Sequence, residues 1–171
     1  MEMRKPQQED YEYERKGPCC IFVAFEPHTG QRFIQERKRR TRVDYAQFMK
    51  ELVEKYYPEA EGVRLVQDNL NTHSAGSFYE AFPPEETFAL AQKFEYHYTP
   101  KKGSWLNMAE IELPVLAKRC LDRRIGYRGR LAQELGVSKE ERTRMKATVR
   151  WRFTKKEARV KFHKFYHVVE N

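Results

Sequence analysis

Apolar residues are arranged in short runs that predict four β-strands. The continuous apolar run over residues 20–25 ends at Pro27 and at a turn containing Thr29 and Gly30, and residues 31–40 resume as a second strand. A tight turn of this kind joins antiparallel strands. Two more short runs have strand character, Val63–Gln67 and Phe94–Tyr98.

Helical spacing of apolar residues predicts two helices between these strands. Thr41, followed three residues later by Asp44, is typical of a capping box at a helix start. The inward positions of this first helix are expected to be Val43, Ala46, Met49, Leu52, Val53 and Tyr56, with Pro58 ending it. The second helix should run over residues 85–94 after Pro83 and Pro84, with Phe88, Ala91 and Phe94 inward.

Three further helical segments are expected after the last strand. Ser104 is predicted to cap a helix that carries Glu110 and is kinked or restarted at Pro114. Its apolar stripe would be Leu106, Ala109, Leu113, Leu116, Ala117 and Cys120. Ser138 is predicted to cap another helix that runs towards Phe153, and residues 158–166 form a last basic and aromatic segment.

Two acids stand where an α/β protein places ligand-binding groups. Asp68 directly follows the strand Val63–Gln67, and the carboxyl ends of such strands form the edge at which ligands bind. Glu110 lies beside the apolar stripe of its helix, so the two carboxylates can meet. Each also has an ordinary interpretation, Asp68 as a turn aspartate and Glu110 as a solvated glutamate. Glu112 faces another way and is expected to be exposed.

Positive charge is concentrated in the last third of the chain. Residues 118–171 contain 17 Lys and Arg against 6 Asp and Glu, whereas residues 1–117 contain 16 against 19, which together give the net charge of +8. This asymmetry predicts a polyanionic partner. The candidate phosphate contacts are Arg119, Arg123, Arg124, Arg128 and Arg130, with His73, Lys101 and Lys102 as further candidates. A solvated basic face is the alternative interpretation.

Cysteine usage and hydropathy predict a cytoplasmic protein. Cys19, Cys20 and Cys120 form no CxxC pair and leave an odd thiol, which is typical of reduced core cysteines in an intracellular protein. No apolar run approaches the roughly 18 residues of a membrane span, and the first ten residues lack the apolar core of a signal peptide.

Several motifs together resemble one family. VQDNLNTH, HYTPKKGSWLNMAEIE and CLDRRI, with DYEYERKG and WRFT, are similar to transposases of bacterial insertion sequences related to the mariner superfamily. The resemblance extends from about Asp10 to Tyr166. It implies an α/β, ribonuclease H-like catalytic domain of the DDE type. It also implies that three carboxylates hold two Mg²⁺ ions, for which Mn²⁺ can substitute, to cut and join DNA at transposon ends and targets.

The resemblance assigns two of the three carboxylates, and the first has no match. Asp68 corresponds to the second acid and Glu110 to the third. We therefore expect a truncated copy that lacks the central first strand, which in the family lies between the strand at residues 20–25 and Val63–Gln67. Two carboxylates are too few to fix two near-octahedral ions. Glu12 and Glu14 are poor substitutes, because in the family such positions come after the first acid.

The expected organisation and function follow from this departure. Residues 1–10 would be a leader, 11–120 an incomplete ribonuclease H-like domain, and 121–171 a basic helical extension. The chain would be inactive alone and active with the missing amino-terminal transposase segment or an intact transposase as partner. Two alternatives stay open, a catalytically dead DNA-binding remnant and a nuclease acting on structured nucleic acid. His163 and His167 are expected to form a surface pair, and Trp105 either stacks on bases or packs in the core.

Overall fold

A β-hairpin begins the part of the chain that the computed structural model describes, residues 17–100 and 103–163. Strand β1 (Cys20–Glu26) pairs antiparallel with β2 (Gln31–Arg37), which confirms the predicted hairpin. Gly30 closes the turn with a φ of +76°, a conformation that glycine adopts without steric cost, and its N–H donates to the Glu26 carbonyl over 2.9 Å. Strand β2 ends at Arg37, short of the expected residue 40.

The second pair of strands is parallel. Strand β3 (Val63–Gln67) pairs with β4 (Phe94–Tyr98), with Val63 opposite Phe94 and Gln67 opposite Tyr98. The crossover between them contains a 3₁₀ turn (Ala75–Glu80) and helix α2 (Pro84–Gln92). Among the described residues the strands form two separate two-stranded sheets, β1–β2 and β3–β4.

The remaining helices alternate with irregular segments. They are α1 (Arg42–Glu51), α3 (Ala109–Leu116), α4 (Arg128–Arg144) and α5 (Lys155–Lys161). Helix α1 continues as π-helical turns over Leu52–Tyr56, and α3 does the same over Ala117–Leu121. A short 3₁₀ turn, Ser104–Leu106, precedes α3.

Two helix starts carry reciprocal capping boxes. Thr41 accepts a hydrogen bond from the Asp44 N–H, and the Asp44 side chain accepts from the Thr41 N–H, as predicted. Thr154 and Glu157 form the same arrangement at the start of α5, a helix start that was not among the sequence predictions.

Two expectations about the later helices are wrong, and of the kink or restart expected at Pro114 the restart is excluded while the kink stays a prediction. Ser104 does not cap α3, which begins at Ala109 after the Asn107 side chain accepts a hydrogen bond from the Ala109 N–H over 3.1 Å. The helix does not restart at Pro114 but continues to Leu116. Ser138 lies buried within α4 instead of capping a helix, and α4 ends at Arg144, well before Phe153.

The larger core lies between α1 and the two sheets. Ala46, Met49, Leu52 and Val53 are buried as predicted, but Tyr56 is 42% exposed. They pack with side chains from the hairpin and from the segment between β3 and β4, among them Phe22, Phe33, Phe78, Leu90 and Phe94. In α2 the buried positions are Thr87 and Leu90, whereas Phe88, expected to face inward, is 62% exposed.

A second core covers the opposite face of the hairpin. Leu116, Cys120, Leu131 and Leu135 from the α3 and α4 region pack against Ile21, Val23 and Ile34 of the strands. Because side chains alternate along a strand, Phe22 faces α1 while its neighbours face α3 and α4. The hairpin is therefore the middle of three layers in a mixed α/β structure. The domain boundary expected at residue 120 stays a prediction.

The cysteines and helices of the described residues bear on two further expectations. Cys19, Cys20 and Cys120 are all free thiols; Cys120 is buried and Cys20 packs half-buried against the larger core, but Cys19 is exposed, so the expectation of a core position is wrong for Cys19. Within the described ranges no helix is both long and apolar enough to cross a membrane.

Candidate functional site

Asp68 lies at the carboxyl ends of the parallel strands. It directly follows β3, and the Thr99 N–H donates to the Gln67 carbonyl over 2.9 Å, so the pairing of β3 with β4 extends to the strand ends. The Asp68 side chain is 37% exposed. A carboxylate at this edge is accessible to a ligand without being an unpaired charge in the core.

His73 is the partner of this carboxylate. Its Nδ1 lies 2.5 Å from Asp68 Oδ1, and its side chain is 21% exposed. Asp68 Oδ2 has no hydrogen-bond partner among the described residues. The histidine therefore fixes the orientation of the carboxylate and leaves its second oxygen available.

The loop that carries His73 is held against the strand ends. The His73 carbonyl accepts hydrogen bonds from Gln67 Nε2 over 2.8 Å and from the Tyr98 hydroxyl over 3.2 Å. The Tyr45 ring stacks on the imidazole at a centroid distance of 4.9 Å, and its hydroxyl donates to Gln67 Oε1 over 2.9 Å. Burial raises the pKa of Tyr45, so this hydroxyl keeps its proton.

Tyr45 and Gln67 were not among the predicted site residues. Gln67 is the one polar residue buried in β3, and Tyr45 lies next to Ala46 on the buried face of α1. A polar side chain at a buried strand end needs a hydrogen-bond partner, and that requirement was the signal in the sequence.

Glu110 lies in the first turn of α3, four residues after the 3₁₀ turn Ser104–Leu106. Its side chain is half-buried and has no hydrogen bond or ion pair within residues 17–100 and 103–163. The N–H groups of Ala109 and Glu110 are bonded to Asn107, and the dipole of α3 still favours a negative charge at this end of the helix. The Glu110 carboxylate therefore has two oxygens that make no hydrogen bond or ion pair to the described residues.

The carboxylate oxygens of Asp68 and Glu110 are of the type that binds a divalent ion, but two carboxylates are too few for a complete site. Carboxylates are the ligands that Mg²⁺ and Mn²⁺ prefer in proteins. Within the described residues, however, no group of three or more His, Cys, Asp or Glu side chains is arranged to hold a metal ion. Asp68 and Glu110 as one shared metal site stay a prediction, and Asp10, Glu12 and Glu14 lie outside the described residues.

A buried ion network lies two residues beyond Glu110. Glu112 is fully buried and accepts two hydrogen bonds from Arg32 of β2, at 2.6 and 2.9 Å, and two from Arg142 of α4, at 3.0 and 3.1 Å. Burial raises the pKa of Glu112, but the two guanidinium groups outweigh it and the net pKa is lowered. The expectation that Glu112 is exposed is therefore wrong.

The same network links the hairpin turn to the end of α4. Arg32 Nη1 donates to the Gly30 carbonyl and Arg32 Nη2 to the Ala147 carbonyl, each over 2.5 Å. Arg32 also lies over the Phe25 ring, 4.7 Å from its centroid. Helix α3, which carries Glu110, is thereby tied through Glu112 to β2 and α4.

Most of the arginines predicted to contact phosphate are paired with carboxylates. Arg119 binds Glu141 at 2.8 Å, Arg128 binds Glu36 at 2.6 Å, and Glu134 accepts from both Arg123 and Arg130. Arg124 is exposed and has no such partner in the described part of the chain. DNA contact by these five arginines stays a prediction, and Lys101, Lys102 and His167 lie outside the described residues.

The chain was compared with protein families, curated proteins and solved structures. A family model described as DDE superfamily endonuclease matches residues 3–132, which include Asp68, His73 and Glu110. No curated protein and no solved structure matches. Because the family model covers most of the chain, this protein belongs to the DDE superfamily endonuclease family.

Proposed function

We propose that this chain supplies two carboxylates, Asp68 and Glu110, of a metal-dependent site that cuts and joins DNA in transposition. The observation that carries the proposal is the family match over residues 3–132, within which Asp68 ends a parallel strand. The motifs SWLN and VQDNLNTH favour the mariner-related insertion-sequence transposases within this family. The partner is DNA, and the expected compartment is the bacterial cytoplasm.

The residues of the site have distinct roles in this proposal. Asp68 presents Oδ2 as a ligand while His73 holds Oδ1, and Glu110 presents its carboxylate from the start of α3. A bound Mg²⁺ or Mn²⁺ supplies Lewis-acid chemistry for displacement at a DNA phosphodiester. Tyr45 and Gln67 position His73 and touch neither DNA nor metal.

Completion of the site requires a third acid from outside the described residues. Strands β1 and β3 each have one hydrogen-bonded neighbour in the described part of the chain. A strand inserted between them would join the two sheets into one ribonuclease H-like sheet and end beside Asp68. We propose that an amino-terminal transposase segment or an intact transposase provides this strand and its acid.

Metal affinity tests the assigned carboxylates without requiring catalysis. Binding of Mn²⁺ is measured by electron paramagnetic resonance for the wild-type chain and for Asp68→Ala, Glu110→Ala and Asp122→Ala. Each site variant should weaken Mn²⁺ binding by about tenfold or more, since even the loss of a group that only orients a metal ligand costs about 10- to 100-fold in affinity. Asp122 is an exposed acid outside the two motifs that carry Asp68 and Glu110, and no metal role is assigned to it, so its variant is the matched control. Equal affinities in all four proteins would contradict the assignment.

Reading the coding DNA upstream of this chain in all three frames tests the proposed completion. We expect it to encode a helix-turn-helix region and a strand that ends in Asp. Adding that segment to the chain should then produce Mg²⁺-dependent DNA cleavage that Asp68→Ala abolishes. Unrelated upstream DNA would reject the transposase proposal.

A second function is favoured by the lack of a three-acid cluster in the described residues. A catalytically dead remnant would bind DNA through its positive charge and never cleave it. Its DNA affinity would fall steeply with salt and would be the same in the wild-type chain and in Asp68→Ala. Cleavage lost on that substitution would reject the remnant.

A further inference from the structure

Residues 146–163, here termed the cationic arm, carry exposed positive charge without carboxylate partners. The arm's cations are Lys146, Arg150, Arg152, Lys155, Lys156, Arg159 and Lys161, and all of them are exposed. The arm lies wholly within the described residues, where none of these side chains forms an ion pair. Its single acid, Glu157, is occupied by the capping box with Thr154.

Most arginines of residues 119–130, which the sequence predicts as phosphate contacts, are already paired with carboxylates. Arg119, Arg123 and Arg130 bind Glu141 or Glu134. Each neighbouring carboxylate cancels part of the positive charge that an approaching phosphate meets, so part of the attraction is lost. The arm loses no ion pair when a polyanion approaches, and its charges are therefore the more effective contact.

The arm is fixed to the rest of the molecule at both ends. Near its start, the Ala147 carbonyl accepts a hydrogen bond from the buried Arg32. Farther along, the Trp105 ring stacks on Phe162 at a centroid distance of 5.6 Å and meets the edge of Phe153 at 5.1 Å. Lys161 Nζ lies 4.3 Å from the Trp105 ring centroid. The cations are consequently presented on an anchored segment, which lowers the entropy lost on binding.

Trp105 also relates the arm to the candidate site. It lies in the 3₁₀ turn Ser104–Leu106, directly before the helix whose first turn carries Glu110. A backbone bound along the arm therefore approaches the start of α3. Lysines and arginines clustered along one segment are the electrostatic pattern expected of a nucleic-acid contact.

We propose that the cationic arm binds the DNA phosphate backbone and holds it beside Glu110. This inference rests on the proposed function for its choice of DNA over other polyanions. It assigns the main DNA contact to Lys155, Lys156 and Arg159, and not to the paired arginines of residues 119–130.

Two matched triple variants test the assignment. One is Lys155→Gln, Lys156→Gln and Arg159→Gln, and the other is Arg119→Gln, Arg123→Gln and Arg130→Gln. All six side chains are exposed, and both variants lose three positive charges. Affinity for a labelled short duplex is measured by fluorescence anisotropy over a range of salt concentrations, and thermal melting checks that both variants fold.

The arm variant should weaken binding by about tenfold or more and reduce the slope of log K against log salt by about 2 to 3, since each lost phosphate contact contributes about 0.9. The control variant should stay within about threefold of wild type with nearly the same slope. Equal losses in the two variants, or a larger loss in the control, would overturn the proposal. Polyglutamate competing as well as unlabelled duplex would show an acidic protein to be the partner and would overturn it too.

The outcomes separate this proposal from the assigned carboxylates. Asp68→Ala and Glu110→Ala should keep duplex affinity while losing Mn²⁺ affinity. If arm variants lose DNA and the acid variants keep Mn²⁺, the proposed function fails and the arm assignment stands. If the arm variants bind DNA normally while the acid variants lose Mn²⁺, the arm assignment fails and the proposed function stands.

Discussion

Glu112 accepts hydrogen bonds from two arginines while its side chain is closed off from solvent. A buried charge left without its partner is far costlier than a lost surface pair. Glu112→Gln should therefore lower the free energy of unfolding at neutral pH by about 3–5 kcal/mol, because Arg32 would stay buried without a counter-charge. Urea unfolding followed by circular dichroism measures the change.

The difference in unfolding free energy between wild type and Glu112→Gln should change with pH in a defined direction. The pKa of Glu112 is lowered from 4.5 in the folded protein, so its stabilisation is fully present above 4.5 and is lost as pH falls through the folded-state pKa. The gap between wild type and Glu112→Gln should thus be constant near neutrality and narrow in acid. Glu134→Gln is the matched control, since Glu134 also accepts from two arginines, but it is 20% exposed and both arginines are more than half exposed, so the loss should stay below about 1 kcal/mol. Equal losses in the two variants would contradict the buried-pair account.

Glu112 also illustrates what the sequence could not reveal about single residues. Its position two residues after Glu110 suggested a solvent-facing side chain, but the partner that draws it inward is Arg32, on a distant strand. No local sequence pattern indicates an ion pair between two residues that lie so far apart in the sequence. The position of Asp68 at the end of a strand, in contrast, followed from the run of apolar residues directly before it.

At the scale of elements, the two capping boxes begin helices with very different tertiary support. Helix α1 buries Tyr45, Ala46, Phe48 and Met49, whereas no residue of α5 is buried. Most helical stability in proteins comes from such packing. Loss of a cap therefore lowers the global free energy of unfolding only where the helix unfolds together with the core.

Alanine at each cap should consequently have different effects. Thr41→Ala should lower the global free energy of unfolding by about 1 kcal/mol, since α1 unfolds only with the core. Thr154→Ala should leave the melting temperature nearly unchanged and instead speed amide hydrogen exchange in residues 155–161. A global loss from Thr154→Ala equal to that from Thr41→Ala would show that α5 is part of the cooperative core.

Element prediction succeeded where a signature was complete and local. The hairpin, β3, β4 and the Thr41 cap were all marked by apolar runs or by paired capping residues. Ser138 was misjudged because SKEE has the form of a cap, yet the apolar residues Leu131 and Leu135 on its amino-terminal side extend the helix through it. The limits of α4 depended on packing against β2, which the local pattern does not contain.

At the scale of the whole molecule, the described strands form two small sheets instead of one. A two-stranded sheet is only marginally stable by itself, and its unpaired edges are able to pair with another chain. Val66 of β3 is 48% exposed. The mixed α/β architecture was predictable from local apolar runs, whereas the order of strands in a sheet depends on pairing between distant segments. The incomplete ribonuclease H-like sheet stays a prediction.

Pairing between the strand edges of two molecules predicts self-association of this protein that rises with its concentration. Val66→Lys should reduce it without lowering the melting temperature, because a charged side chain on an edge strand disfavours edge-to-edge pairing. Sedimentation velocity over a concentration series measures the effect. Val137→Lys on α4 is the matched control, since Val137 is 65% exposed and lies outside the sheets. A similar reduction from both variants would point to general charge repulsion.

The turn at Gly30 restricts how related chains can vary. A Cβ atom at this position would lie 3.1 Å from the main-chain carbonyl carbon of Lys146, and the φ of +76° is unfavourable for any other residue. Main-chain atoms cannot rotate away as the end of a long side chain does. A relative that carries a larger residue in place of Gly30 must therefore strain this turn and shift the start of its arm by a few tenths of an ångström. Position 30 thus serves as a marker, readable from sequence alone, for which members of the family share this arm.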